Sequence, residues 1–258
     1  MSLKRNNVDN IDAHDLRSLR EEKYNGDKDA NMSVDIARLQ SGEPLAYVLN
    51  TQPFLGLTIH LDTHPLIPRP ETEWWVEKLI QEQSTKGVES PYEILDLCAG
   101  SGAIGIALMK AFPKSMVTFV EKDPEHLPLI EKNILANDLE LSRAYIYEGD
   151  VWSSLPQSKT FDVIATNPPY IPEARRLEHS VTGFEPSLAL FAGTDGLSVI
   201  RTILKEVTTR LHAGGSLWLE CDSEHADVVL ALAQEATLPQ SALHLDQYGR
   251  PRLLVSYT

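Results

Sequence analysis

The stretch Glu93-Ile94-Leu95-Asp96-Leu97-Cys98-Ala99-Gly100-Ser101-Gly102-Ala103-Ile104-Gly105 decides the fold. Ile94–Leu97 is an apolar run of strand length, Gly100-Ser101-Gly102 breaks it with a turn, and Ala103–Ala111 follows as a helix. Gly100, Gly102 and Gly105 have the spacing G-x-G-x-x-G. Glu121 follows Gly102 by 19 positions, at the end of the next strand, Met116–Val120. This is the fingerprint of a strand–turn–helix unit that cradles a nucleotide, with the carboxylate accepting from both hydroxyls of a ribose diol.

The same alternation runs on toward the C-terminus. A helix is expected over Pro124–Ala136, then strands at Ala144–Tyr147 and Phe161–Ala165. A helix over Leu197–Leu211 ends at Gly214-Gly215. Ser216–Leu219 is a strand, Glu224–Glu235 a helix, and Leu243–Leu245 with Arg252–Tyr257 a closing strand pair. Strand alternating with helix means an α/β fold with a doubly wound, mainly parallel sheet. Toward the N-terminus the pattern weakens. Short helices are expected near Ala13–Tyr24 and Ser33–Gln40 after a mobile start, and short strands at Tyr47–Leu49 and Phe54–Leu61. The proline-rich Pro65-Leu66-Ile67-Pro68-Arg69-Pro70 leads into a helix through Trp74–Gln83, and Lys86–Pro91 reads as a surface linker. The resulting division is a helical segment over 1–41, a hairpin and connector over 42–70, and the main domain over 71–258.

Asn167-Pro168-Pro169-Tyr170 follows the strand Phe161–Ala165 directly. Two prolines lack N–H groups, and Pro168 keeps Asn167 out of the helical region, so a stiff turn with spare acceptors stands at a strand's C-terminal edge. Open α/β sheets hold their ligands at that edge. The Asn167 side-chain carbonyl and the Pro168 carbonyl can accept both hydrogens of one –NH2 group while Tyr170 covers its flat face. The tetrapeptide is a clamp for a planar amide or an exocyclic amine.

A ribose belongs to nicotinamide and flavin dinucleotides and to S-adenosylmethionine alike, so the glycine loop leaves hydride and methyl transfer open. Asp96 suits a cofactor carrying an ammonium, Asp150 beside Val151 suits an adenine amino group, and the –NH2 clamp has no place in hydride transfer. These favour S-adenosylmethionine, with S-adenosylhomocysteine as product. Cys98 reads as a small buried residue. Arg69, fixed between prolines, can meet Glu71, Glu185 or an acceptor chain. Trp74-Trp75 on one helix gives one core ring and one surface ring.

Hydrophobic residues make up 42% of the chain and charged residues 23%, ordinary for a globular protein. No apolar run approaches the roughly 20 residues of a membrane span, so no membrane association is expected. Two cysteines exclude a disulfide framework and point to a reducing compartment: cytoplasm, or mitochondrion in a eukaryote. Eight scattered histidines lack metal-ligand spacing, so no metal is expected. With 23 basic against 37 acidic residues the net charge is −14, which repels nucleic acid and argues against stable binding to it. The chain is expected to be a monomer.

The motifs together resemble the HemK/PrmC family of S-adenosylmethionine-dependent enzymes. The likeness runs from Gly42-Glu43-Pro44-Leu45-Ala46-Tyr47 through Phe54-x-Gly56 and Leu66-Ile67-Pro68-Arg69-Pro70-Glu71-Thr72-Glu73. It continues with Asp96–Gly102, Asn167–Tyr170, Phe184-Glu185-Pro186, Leu190-Phe191-Ala192-Gly193-x-Asp195-Gly196 and Tyr248-Gly249-Arg250-x-Arg252. Asn-Pro-Pro-Tyr alone also occurs in DNA adenine-N6 methyltransferases, whereas the Pro68–Glu73 segment is far more specific. The resemblance implies a class I, Rossmann-like, seven-stranded methyltransferase fold. It implies methyl transfer to the side-chain N5 of the glutamine in a release factor's Gly-Gly-Gln. It also implies that Cys98, Ala99, Gly100, Ser101 and Gly102 line the cofactor and that Asn167, Pro168, Pro169 and Tyr170 hold the glutamine amide. Read from the sequence itself, Asp96, Glu121, Asp150, Val151 and Asn167 join the cofactor site, and Arg69 and Glu185 are candidates to meet the acceptor. Cys98 stands where the family usually has glycine. Cys221-Asp222-Ser223 departs from the family's usual stretch, and the segment before Gly42 is shorter than the family's helical domain. Two alternatives stand beside this reading. An adenine-N6 methyltransferase would call for a basic groove. A non-catalytic binding module would call for decay of the clamp or the loop.

Overall fold

The computed structural model describes residues 11–85, 93–238 and 240–258. The expected linker over Lys86–Pro91 and the first ten residues lie outside them. The described residues begin with α1 (Ala13–Ser18), which runs into a π-helical turn, then α2 (Ser33–Gln40) and α3 (Leu45–Leu49). Leu19, Met32 and Val48 form a small apolar cluster between them. Tyr47–Leu49 is therefore helical, not a strand. Three apolar residues cannot distinguish the two periods, and the flanks decide. Pro44 opens the turn, and Asn50 closes it in the left-handed region at φ 64.

A hairpin follows, β1 (Thr51–Phe54) and β2 (Leu57–His60), joined by Leu55-Gly56 with both φ values positive. That two-residue turn matches strand twist, so Phe54 ends β1 and does not open β2 as the expected strand Phe54–Leu61 had it. The outer edge of β2 is paired by side chains. The N–H groups of Thr58 and His60 donate to Asn137 Oδ1 (3.0 Å) and Asn133 Oδ1 (2.7 Å), and the two asparagine Nδ2 groups donate back to the Thr58 and His60 carbonyls. Both asparagines belong to the helical turn region of α6 (Leu127–Ala136), four residues apart. Four residues of helix rise about 6 Å and two residues of strand about 6.7 Å, so the amides fall in step with the strand.

The remaining elements are α4 (Pro70–Thr85), β3 (Glu93–Leu97), α5 (Ala103–Ala111), β4 (Met116–Glu121), β5 (Ala144–Glu148), β6 (Phe161–Thr166), α7 (His179–Thr182), α8 (Ser187–Leu190), α9 (Ser198–Arg210), β7 (Leu211–Glu220), α10 (Ala226–Glu235), β8 (Gln240–Leu245) and β9 (Pro251–Tyr257). The described residues build a seven-stranded sheet in the order β5-β4-β3-β6-β7-β9-β8, parallel except for β9. This is the expected doubly wound sheet. Ile94, Phe119, Val163 and Trp218 face α4, α5, α6 and the hairpin, while Leu95, Leu97, Ile164 and Leu219 face α9 and α10. Burial on both faces explains the near-continuous apolar strands. The hairpin residues Phe54, Leu57 and Ile59 share one core with Trp75, Leu79 and Ile106.

Helix α9, Ser198–Arg210, matches the helix expected over Leu197–Leu211, but Gly214-Gly215 are not what ends it. Leu211 pairs with Phe161 and Ser216 with Val163, so residues 212–215 form a bulge inside β7. Gly214 takes φ +79, and a Cβ on Gly215 would lie 3.1 Å from the Phe161 and Asp162 carbonyls. The glycines serve the bulge, not a helix end.

Candidate active site

Strand order reverses between β4 and β6 on either side of β3, and a cavity of about 530 Å³ opens at the carboxyl ends of these strands. Cys98, Gly100, Glu121, Asp150, Val151, Asn167 and Pro169 line it, as the sequence places them. Leu188, Phe191 and Gly193 line the far wall. That wall is held by a short parallel bridge between Ile171 and Phe191, with Ile171 N–H donating to the Leu190 carbonyl at 2.9 Å.

Glu121 is buried, and its two oxygens accept the backbone N–H groups of Gly100 (2.7 Å) and Asp123 (2.8 Å). Each carboxylate oxygen keeps a lone pair, so the fixed group can still accept from a diol. Asp150 pairs with Lys122 at 2.8 Å on the cavity rim. Val151 beside it has φ 52, an outlier for a β-branched residue. Cys98 has φ 61, the region glycine prefers, which explains why a glycine suits this position. Burial, with Glu121 and Asp96 nearby, pushes the Cys98 thiol far up, so it stays protonated. His126 also lines the cavity and meets Thr63 Oγ1 through Nδ1 at 2.7 Å; no sequence signal singled it out.

Several expected cofactor residues lie behind the wall. Asp96 is fully buried: its Oδ2 accepts the Gly105 N–H at 2.8 Å, anchoring the start of α5, and it does not line the cavity. It sits on the α5 side of β3 because residues alternate along a strand. Burial, then the Glu121 charge, raises its pKa well above the carboxylate range. Ala99 packs into the core, Ser101 is buried with its carbonyl accepting from Asn133 Nδ2 at 2.9 Å, and Gly102 packs against Ile130. A Cβ on Gly105 would come within 2.3 Å of the Phe119 ring, so this glycine lets helix and strand touch.

The acceptor side is a hydrogen-bonded cluster. Asn167 Nδ2 donates to Thr72 Oγ1 (3.1 Å), Thr72 Oγ1 to Glu220 Oε2 (2.7 Å), Trp75 Nε1 to the same oxygen (2.8 Å), and the Tyr170 hydroxyl to Glu220 Oε1 (3.1 Å). Glu220 is 1% exposed, and burial raises its pKa from the usual value against the pull of three donors. Burial, then the Glu220 charge, raises the Tyr170 phenol well above 10, so it remains a donor. The Pro168 ring is buried and the Tyr170 ring packs on the α9 side, so neither ring forms the cavity wall.

From the sequence alone, Thr72, Trp75 and Glu220 carry no role in the site. One signal for Glu220 is present: like Glu121, it ends an apolar parallel strand. Thr166 pairs with Leu219, which sets Asn167 beside Glu220 in the next row.

Arg69 and Glu185 meet each other, Nη2 to Oε1 at 2.5 Å, and Glu185 Oε2 accepts the Ile67 N–H at 3.2 Å. Both Glu185 oxygens thus have protein partners. The pair clamps the proline-rich connector, and neither residue lines the cavity. Trp75 is buried, while Trp74 lies under Lys78 at 4.8 Å.

Residues 77–182 match the family model described as a methyltransferase small domain. The chain is 35% identical over 224 residues to the release factor glutamine methyltransferase of Rhodopirellula baltica, covering 85% of this chain and 75% of that protein. It is 33% identical over 234 residues to the enzyme of the same name from Deinococcus radiodurans, covering 90% and 81%. Among solved structures, a 16S rRNA N2 methyltransferase of T. thermophilus in complex with AdoMet and guanosine superposes with TM-score 0.58 at 21% identity, over 81% of this chain and 49% of that one. A methyltransferase from Pyrococcus furiosus gives 0.55 at 17%, over 87% and 98%. At these identities the likeness to the solved structures is one of fold.

Proposed function

We infer the reaction from one premise: this chain belongs to the family of release factor glutamine methyltransferases. It is an S-adenosylmethionine-dependent methyltransferase, and its acceptor is the side-chain nitrogen of a release-factor glutamine. S-adenosylmethionine supplies an electrophilic sulfonium methyl group when bound. The residues that line the cavity fit it: the Glu121 carboxylate would accept from a ribose diol, Asp150 and Val151 would meet the adenine, and Cys98 and Gly100 would border the rest of the cofactor.

The observation that carries the role of the clamp is Asn167 at the end of β6, lining the cavity with its Nδ2 already engaged by Thr72. Its Oδ1 accepts one N–H of the glutamine amide, and the Pro168 carbonyl accepts the other. An amide nitrogen is a weak nucleophile because its lone pair is delocalised. Two acceptors turn that lone pair toward the methyl carbon and stabilise the positive charge that grows on nitrogen. A neutral asparagine does this without burying an unpaired carboxylate. The proton leaves to water after transfer, so no strong base is needed. Tyr170, held by Glu220, fixes the turn that carries Pro168 and Pro169. Arg69 and Glu185 set the connector from which Thr72 enters α4.

The test is incubation with labelled S-adenosylmethionine and either a release factor or an adenine-containing oligonucleotide. Label on the glutamine of Gly-Gly-Gln is expected. Label on adenine alone, or on neither, overturns the reading.

A further inference from the structure

The geometry points to Thr72 and Glu220 as a positioning relay that decides which end of the Asn167 amide faces the cavity. This rests on the glutamine-methylation reading and adds two residues to it.

The argument turns on hydrogen counting. An asparagine amide offers an acceptor at one end and two donors at the other, and the ends are nearly the same size. Only the acceptor end serves a glutamine –NH2. A flipped Asn167 would set donors against donors. Something must therefore fix the orientation before the acceptor arrives.

Trp75 provides the starting point because an indole N–H can only donate. Its bond to Glu220 Oε2 is 2.8 Å long, and with the carboxylate ionised, or protonated on Oε1 where the Tyr170 oxygen can accept, Oε2 has no hydrogen to give and only accepts. Thr72 Oγ1, 2.7 Å from the same oxygen, must then be the donor. A hydroxyl has one hydrogen, so toward Asn167 the Thr72 oxygen can only accept. At 3.1 Å it therefore takes the Asn167 –NH2, and Oδ1 is left for the cavity. The chain of roles runs one way, from Trp75 through Glu220 and Thr72 to Asn167. Thr72 and Trp75 are three residues apart on α4, one turn of one face, which is why both reach one carboxylate oxygen.

Thr72 touches no reacting atom in this scheme, so its loss should lower turnover and leave cofactor binding alone. Thr72→Val keeps the shape and removes the hydroxyl; kcat on a saturating release factor should fall about tenfold to a hundredfold. Affinity for S-adenosylhomocysteine should stay within about threefold of wild type, the reading that a merely structural defect would move. Thr72→Ser restores the hydroxyl and should restore most of the rate. In a double-mutant cycle, adding Thr72→Val to Asn167→Ala should cost nothing further.

Wild-type turnover in Thr72→Val, equal losses in Thr72→Ser and Thr72→Val, or multiplicative losses in the cycle each overturn the relay. If Thr72→Val does not fold, Thr72→Ala takes its place. If wild type labels no glutamine, the activity reading fails and the relay is judged by NMR of the Asn167 side-chain –NH2. Its protons should exchange slowly in wild type and Thr72→Ser, and rapidly in Thr72→Val; equal exchange in all three overturns it.

Discussion

At the scale of single residues, Asn167 and Asp96 illustrate two uses of a polar side chain at one end of a sheet. Asn167 is half-buried and lines the cavity, so Asn167→Ala removes an oriented acceptor and little packing. We expect single-turnover methyl transfer to fall about 10²-fold or more, with cofactor affinity nearly unchanged, measured by rapid quench and calorimetry. Asp96 is fully buried with a raised pKa. The native state therefore holds a proton that the unfolded chain has released, and this contribution to stability is complete below the ordinary carboxylate pKa near 3.8 and is lost as pH rises through the raised native value. Asp96→Asn cannot titrate. The urea midpoint of wild type should drop more between pH 5 and pH 8 than that of Asp96→Asn; parallel slopes would mean that Asp96 ionises as freely as in the unfolded chain. Asp96 was read from the sequence as a cofactor residue because it precedes the glycines. Only the partner it meets, the Gly105 N–H nine residues on, reveals an anchor for α5.

At the scale of elements, legibility followed periodicity. The β3–turn–α5 unit could be read because an apolar run, two turn glycines and a helical repeat are all local. The helix α3 could not, since Tyr47-Val48-Leu49 fits either period and Asn50 settles it only through its backbone. Glu220 escaped because its partners are 145 and 148 positions away, a separation no local pattern encodes. The same long-range logic governs the segment over the cavity. Gly196 takes φ +75, and a Cβ there would lie 2.4 Å from the Tyr170 carbonyl and 2.9 Å from Pro172. Gly196→Ala should thus displace the turn carrying Tyr170 as well as strain its own backbone. We expect a loss of at least about 2 kcal/mol in urea unfolding, together with reduced kcat. Gly214→Ala is the matched control: φ is +79 but nothing lies within 4 Å of its Cβ, so only the backbone penalty, about 1–2 kcal/mol, should be seen, with kcat retained.

At the scale of the whole molecule, the two apolar layers meet at one sheet, and the cavity opens where the strands of that sheet end. A ligand bound there stabilises the native chain by mass action. S-adenosylhomocysteine at about a hundred times its Kd should add roughly 2.7 kcal/mol, which for a chain of this size raises Tm by roughly 5–10 °C in a thermal-shift assay. No shift at any concentration would mean that the native chain does not bind the cofactor product. The hairpin belongs to this scale too, because its outer edge faces whatever else is in solution. A bare β-edge is a template on which another chain can add a strand. Asn133 and Asn137 take up both the donors and the acceptors of Thr58 and His60, so the edge has nothing left to offer a neighbouring molecule. In this protein two side chains of a helix stand in for the missing strand along β2, and that edge is closed to strand addition.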